Sequence, residues 1–224
     1  MESNNIENIS GCFSHLPQED IDFLNENKIQ VSYLKGETIF KQGAFAPHVL
    51  FVNKGLALVY LQVGKSKQIN INIARQGDYM AFSSVFNKKT YQYSAVALSD
   101  STFCMIEKEA LKKVTMRNAD FAMKMTAKNN LNESRYIDII KNLSYKQMRG
   151  KLASAILYLS SEEFQNENIF QFLSRQNIAD FASITVESTV KFLKEFENDE
   201  LISLAGKEII IKNQQGLKDL DLRG

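Results

Sequence analysis

Forty residues, Ser174 to Asn213, leave this chain few folds to choose from. They read SRQNIADFASITVESTVKFLKEFENDELISLAGKEIIIKN. Ser174 is a good N-cap for a helix through Arg175–Phe181, because its side-chain oxygen is placed to accept a backbone N–H of the first turn. Ala179 falls where two helices must pass closely and a small side chain is needed. Ala182-Ser183-Ile184 is the turn, and Ser183 stands where such turns often use Gly to reach a left-handed backbone. Thr185 then caps a longer helix, and Glu187 in its first turn complements the helix dipole. Thr189, Phe192, Leu193 and Phe196 make its inner stripe, which leaves Val186, Glu187, Val190, Lys191 and Lys194 on the outer face. LISL and EIIIKN, joined by Ala205-Gly206-Lys207, read as a hairpin. Helix, tight turn, helix and hairpin in this order make a winged helix-turn-helix, a device that lays its second helix in the major groove of DNA.

Upstream the texture changes. From about Gln30 to Ile106, apolar and β-branched residues alternate in VSYL, ETIF, HVLFV, LALVYLQV, QININIA, YQYSAVAL and STFCMI. Turn signals part them at Lys35-Gly36, Gln42-Gly43, Lys54-Gly55, Gly64-Lys65, Gln76-Gly77 and Ser99-Asp100. Many short strands with frequent turns predict a barrel or sandwich. Ahead of them PQEDIDFLNEN, from Pro17 to Asn27, reads as a short helix with acidic residues in its first turn.

From about Lys108 to Asn142 there is neither Gly nor Pro. Phe121, Met125, Lys128, Asn132, Tyr136, Ile139 and Leu143 step by three or four and share one stripe, five of the seven apolar. The pattern predicts one long helix with a polar interruption at KNNLNES. A stripe this long is expected to be a dimer seam through Phe121, Met125 and Tyr136, with an ordinary surface helix as the alternative. After a break at Asn142 to Tyr145, KQMRGKLASAILYLSSEEF is a helix burying Leu152, Ile156, Leu157 and Leu159, and QNENIF is a polar loop.

Bulk properties narrow the function classes. A chain of 224 residues suits two modest domains or one large one. No apolar run approaches the length of a membrane span. The start, MESNNIENIS, has neither a positive end nor an apolar core, so no secretory signal is expected. Two cysteines, Cys12 and Cys104, cannot build a disulfide framework, and a reducing cytoplasm is the simplest expectation. The net charge of +1 does not advertise nucleic-acid binding. From Tyr145 onward ten Lys/Arg stand against twelve Asp/Glu, a net of −2. This weighs mildly against DNA, because a basic face can sit on a neutral domain. No Ser/His/Asp, Cys/His or phosphate-loop constellation is present, so no enzyme is expected. A β-roll enzyme of the cupin type needs a metal on several His plus a carboxylate, and His15 and His48 are isolated. No metal or other cofactor is expected.

In motif and in order the chain resembles the Crp/Fnr family of transcriptional regulators. The glycine rhythm of KGETIFKQG, FVNKGLALVY and RQGDYMAF is similar to that family's β-roll, and the likeness is strongest in SRQNIADFASITVESTVKFLKEFENDELIS. The resemblance covers nearly the whole chain. It implies an α+β protein with an N-terminal cyclic-nucleotide-binding-like β-roll, a long dimerisation helix and a C-terminal winged helix-turn-helix. The implied domains are a sensor at 1–113, the dimerisation helix at 114–143 and a DNA-binding domain at 144–224. The implied partners are double-stranded DNA, a second copy of the chain and, for an activator, RNA polymerase.

Roles in the recognition helix carry over by position. ITVESTVKFL resembles the Fnr branch more than the cyclic-AMP branch, because Val186 stands where the latter has Arg. Glu187 matches the family's acidic reader, which would accept from a cytosine N4 amino group. Lys191 replaces a family Arg and would donate to guanine O6 or N7, less rigidly than a guanidinium. Val190 would touch a thymine methyl. Ser174, Gln176 and Thr185 fall where the family contacts phosphates. Ser188 and Lys207 are the remaining DNA-binding candidates. The implied site is a palindrome with half-sites resembling TTGA, their centres about one helical turn apart. The alternative is an effector-sensing β-roll protein that works through protein contacts and shows no salt-dependent duplex binding.

The sensor lacks the family's ligand residues. In cyclic-nucleotide members a Glu after the Gly-Asp turn holds the ribose, and an Arg before Ser/Thr-Ala grips the phosphate. Here Phe82 stands near the first position and Tyr93-Ser94-Ala95 at the second. A buried phosphate without a cation loses its charge-assisted hydrogen bonds, so cyclic AMP or GMP is not expected. Lys88 and Lys89 read as the tip of an exposed loop. An iron–sulfur cluster needs four ligands, usually cysteines, and only Cys12 and Cys104 exist. Tyr79, Phe82, Phe86, Tyr91 and Tyr93, with Ser94, cluster where the family binds effectors. They either line a pocket for an unidentified apolar or aromatic effector or fill that space as core. The packed reading is favoured, because aromatic runs in a β-roll are usually packing.

Overall fold

The computed structural model describes residues 11–14, 16–65, 67–86 and 89–223. The segment MESNNIENIS, His15, Lys88 and the side chain of Asn132 lie outside the described residues. No described helix is long and apolar enough to cross a membrane. The chain divides into two compact units, one running to Lys67 and from Ile71 to Ser134, the other comprising Gln68–Asn70, at the start of a strand, and the residues from Arg135 on.

The first unit begins with α1 (Gln18–Glu26), with Glu19 and Asp20 in its first turn as the sequence predicts. Strands β1 (Lys28–Tyr33), β8 (Ser101–Glu107), β3 (His48–Lys54) and β6 (Tyr79–Met80) form one sheet in that spatial order. Strands β2 (Thr38–Phe40), β7 (Ser94–Ala97), β4 (Ala57–Gln62) and β5 (Gln68–Ala74) form a second. The turn glycines Gly36, Gly43, Gly55 and Gly77 all have positive φ. Gly55 has no substitute, since a Cβ there would sit 2.7 Å from the Asp100 carbonyl oxygen. Val49, Phe51, Cys104 and Ile106 of the first sheet pack with Phe13, Leu111 and Val114 in one apolar cluster. Burial raises the Cys104 thiol to about 11, so it stays protonated and inert near neutrality. Burial also lowers the pKa of half-buried His48, against the opposing pull of Glu107.

The predicted single long helix is two. α2 (Lys108–Arg117) stops at Asn118, whose backbone is extended, and α3 (Ala119–Tyr145) restarts with Asn118 Oδ1 accepting the Phe121 N–H at 2.9 Å. An Asn cap breaks a helix without Gly or Pro. α3 runs unbroken through KNNLNES and through the expected break, ending only at Tyr145.

The expected seam is also corrected. Phe121 and Met125 are 2% and 0% exposed and belong to the apolar cluster of their own unit. Among the described side chains of α3, Met123, Ile137 and Ile140 are open at 68%, 53% and 62% exposure, as is Tyr145 at its end, with Tyr136 and Leu143 less so. A stripe at helical spacing reveals a buried face but not the surface that buries it.

In the second unit, α4 (Met148–Leu159) buries Leu152, Ala153, Ala155, Ile156 and Leu159, while Leu157 is only half-buried. It ends before SSEEF, where Glu162–Phe164 forms a short 3₁₀ turn. QNENIF is not wholly a polar loop, since Ile169 and Phe170 are buried in α5 (Ile169–Phe172). α6 (Arg175–Ala182) and α7 (Val186–Asn198) follow, then the hairpin of β9 (Ile202–Ala205) and β10 (Glu208–Ile211). A final helix, α8 (Gln214–Arg223), packs on α4 through buried Leu217 and a Lys146–Asp221 ion pair.

Candidate nucleic-acid interface

Each end of the two-helix motif is held by its own side chains. Ser174 Oγ accepts the Asn177 N–H at 3.1 Å, and Asn177 Oδ1 accepts the Ser174 N–H at 2.8 Å, a reciprocal cap. Ser183 occupies the left-handed region at φ 54° and ψ 42°. The turn therefore has the backbone that Gly favours, adopted by a Ser. Ile184 N–H closes it on the Ala179 carbonyl at 3.1 Å. Ser183→Gly is expected to stabilise this unit by about 1 kcal/mol, because it removes the Cβ clash of the left-handed state. Urea denaturation followed by circular dichroism measures it, and an unchanged or lower midpoint would contradict the strain.

Thr185 caps α7 by accepting the Ser188 N–H at 3.2 Å. Thr189, a polar residue on the inner stripe, is fully buried because its hydroxyl donates to the Thr185 carbonyl at 2.9 Å. Leu193 and Phe196 are buried beside it, and Phe192 is half-buried. The opposite face leaves Glu187, Val190, Lys191 and Lys194 exposed, with Val186 and Ser188 half-buried. The Glu187 carboxyl is held below its ordinary range by its own backbone N–H and the Thr185 hydroxyl. It is therefore an ionised acceptor throughout the neutral range, losing its charge only as pH falls through that lowered value.

Three contacts that the sequence did not advertise set the angle of α7 and of the wing. Arg149 of α4 donates to Glu195 Oε2 at 3.0 Å and to Asp199 Oδ2 at 2.9 Å, pinning the C-terminal half of α7. Glu197 Oε1 accepts the Leu204 N–H at 2.9 Å, tying α7 to β9. Arg175 donates to the Gly206 carbonyl at 3.0 Å, fixing the wing turn whose next residue is exposed Lys207. No short motif marks these residues: the Arg149 and Arg175 bonds join segments far apart in sequence, and the Glu197 bond reaches from a helix to the strand after it. Of the remaining candidates, exposed Gln176 donates to Asp180 Oδ1 at 2.8 Å.

The candidate sensor residues sit in two aromatic groups. Tyr79 lies 5.5 Å from Phe51 and 5.3 Å from buried Phe82, measured between ring centroids. Its hydroxyl donates to the Met125 carbonyl of α3, and burial raises its pKa well above the usual phenol range. Lys128, one turn further along α3, reaches Asp78 Oδ1 at 3.1 Å and the Gly77 carbonyl at 2.6 Å. In the second group Tyr91 stacks on Phe40 at 4.1 Å, and Tyr93 lies 5.7 Å from the same ring. The Tyr93 hydroxyl accepts the Ala81 N–H at 2.7 Å, where Ala81 has φ 64°. Buried Ser94 accepts the Gln42 N–H at 3.0 Å, and Phe86 stays 63% exposed. Tyr91 and Tyr93 precede β7 rather than forming part of it.

Two family models match the chain: a cyclic nucleotide-binding domain over residues 30–118 and a Crp-like helix-turn-helix domain over residues 150–220. The cAMP-activated global transcriptional regulator CRP of Escherichia coli O6:H1 is 23% identical over 185 residues, covering 80% of this chain and 87% of that protein. The fumarate and nitrate reduction regulatory protein of Escherichia coli K12 is 23% identical over 206 residues, covering 90% and 81% respectively. FixK2 from Bradyrhizobium japonicum shares the fold, with a TM-score of 0.77 at 20% identity over 87% of this chain and 97% of that one.

Proposed function

The chain belongs to the Crp/Fnr family of transcriptional regulators, and on that footing we propose that it works as a homodimer reading a palindromic DNA site through the outer face of α7. The observation that carries this reading is the exposed row of Glu187, Val190 and Lys191 opposite the buried Thr189, Leu193 and Phe196. In it Glu187 accepts from a cytosine amino group, Lys191 donates to guanine, and Val190 meets a thymine methyl. Ser174, Gln176, Thr185 and Lys207 contact phosphates and set the register, with Val186 and Ser188 at the margin of the read face. Ser174 and Gln176 already donate within α6, to Asn177 and Asp180, so each exchanges an internal hydrogen bond for one to phosphate. Residues 1–113 act as sensor, 114–143 as the dimerisation segment and 144–224 as the reader. The second copy docks on the open part of α3 that carries Ile137 and Ile140, and RNA polymerase is a further partner if the protein activates.

The sensor works without a cyclic nucleotide in this reading. Tyr93 supplies a neutral phenol where the family resemblance places a phosphate-binding Arg, and that phenol is engaged by the Ala81 N–H. The aromatic side chains Tyr79, Phe82, Tyr91 and Tyr93 act chiefly as packing. The bonds from Tyr79 to Met125 and from Lys128 to Gly77 and Asp78 couple the segment that follows the Gly-Asp turn to α3.

The test is Glu187→Ala on duplexes selected from a random pool. Discrimination at one half-site position is expected to fall by about 1–3 kcal/mol, roughly 5- to 150-fold, with scrambled-duplex affinity little changed. Equal losses on selected and scrambled duplexes would remove Glu187 from base reading. Wild-type binding that does not weaken with salt would favour the protein-contact alternative.

A further inference from the structure

A cavity of about 520 Å³ opens in the second unit, lined by the end of α4, the 3₁₀ turn after it, α5 and β10. Its apolar lining includes Leu159, Phe164, Ile169 and Phe170. Among the described residues six buried side-chain polar atoms lack a hydrogen-bond partner. Three of them, Ser160 Oγ, Ser161 Oγ and Glu208 Oε2, belong to residues that line this cavity. Buried polar atoms are nearly always paired, because an unmet one loses its hydration for nothing in return. A concentration of them around one cavity marks a place that lacks its complement. DNA reading does not use these residues, since the recognition row lies on α7.

The chemistry of the lining selects the ligand. An ionised carboxylate only accepts hydrogen bonds, and hydroxyls both accept and donate, so the missing group must be rich in donors. A cationic donor forms the stronger, charge-assisted bond to Glu208, whereas an anion is repelled by it. Glu162, Glu163 and Glu167 add negative charge in the same connecting segment, and Lys212 is exposed where it joins the lining. The volume suits a small metabolite, inside the range of roughly 300–1,000 Å³ typical of ligand sites. We propose that this cavity binds a small primary amine with an apolar or aromatic body. Its ammonium donates to Glu208 Oε2 and the Ser160 and Ser161 hydroxyls, and its body lies on Phe164, Ile169 and Phe170. Such a ligand braces β10 directly after Lys207 and so touches the wing from behind, independently of the sensor.

Three probes with the same body and different heads test the site: phenethylamine, 2-phenylethanol and phenylacetate. They are titrated into the full chain labelled at isoleucine methyls. Phenethylamine is expected to give saturable shifts of Ile169 and Ile209, with the alcohol about tenfold or more weaker and phenylacetate inert. Glu208→Gln should weaken the amine by about tenfold or more while leaving the Ile178 and Ile184 signals of the helix-turn-helix in place. No saturable shift with phenethylamine, equal binding of the alcohol, or unchanged binding to Glu208→Gln would each overturn the proposal. If Glu208→Gln loses its methyl dispersion, the Ser160→Ala/Ser161→Ala double variant carries the same comparison. Duplex binding by the same samples reports separately on the DNA-reading assignment.

Discussion

Replacing Ile137 and Ile140 together by Asp is expected to leave a folded monomer that no longer holds a palindromic duplex. Both side chains are more than half exposed on α3, so the fold itself loses little, within about 0.5 kcal/mol per site. In a two-fold dimer each residue is buried twice. At about 1.5 kcal/mol or more per buried aliphatic side chain, the four contribute on the order of 6 kcal/mol to association. Four carboxylates brought together add repulsion to that loss. Separating the subunits also removes the gain from linked half-sites, commonly about 10² to 10⁴ in affinity. Sedimentation at micromolar concentration, thermal melting and competition on a two-half-site duplex together measure the three claims. A variant that stays dimeric excludes this face as the seam.

Phe121→Ala is expected to do the reverse. Phe121 is 2% exposed and stacks on Phe13 at 5.7 Å inside the apolar cluster of the first unit. Emptying that site should cost about 3–5 kcal/mol of stability, from lost transfer energy and the cavity left behind. Dimer affinity of the molecules that remain folded should be unchanged. Urea denaturation of the first unit and sedimentation of the folded fraction separate the two quantities. A dimer weakened with no loss of stability would restore Phe121 to the seam. The pair of experiments thus asks which face of one helix looks inward and which looks out.

The two faces also show why part of the molecule was legible and part was not. The helix-turn-helix is written in short-range chemistry. Ser174 and Thr185 cap, Ala179 is small, and Phe196 and Leu193 return at helical spacing, all within a few residues of the bonds they make. Ser183 departs from the usual Gly, yet the backbone still turns left-handed, since the packing of α6 and α7 around it outweighs the local cost. The break at Asn118 was available as a capping residue but was hidden by the lack of Gly or Pro around it. The stripe from Phe121 is apolar as expected, but Phe121 and Met125 are buried within their own unit, while Tyr136 on the same stripe stays partly exposed.

Local order, caps, turn residues and the alternation of strands were therefore determined by the sequence alone, because each rests on interactions within one turn or one hairpin. Which surface a stripe meets was decided only in three dimensions, because burial depends on neighbours that periodicity does not name. The same holds for Arg149 on α7, Arg175 on the wing turn, and Tyr93 on Ala81. It holds most of all for the cavity, whose unpaired Ser160 Oγ, Ser161 Oγ and Glu208 Oε2 come from segments far apart in sequence. Hydrogen bonds and pockets between distant segments exist only once the backbone has closed around them.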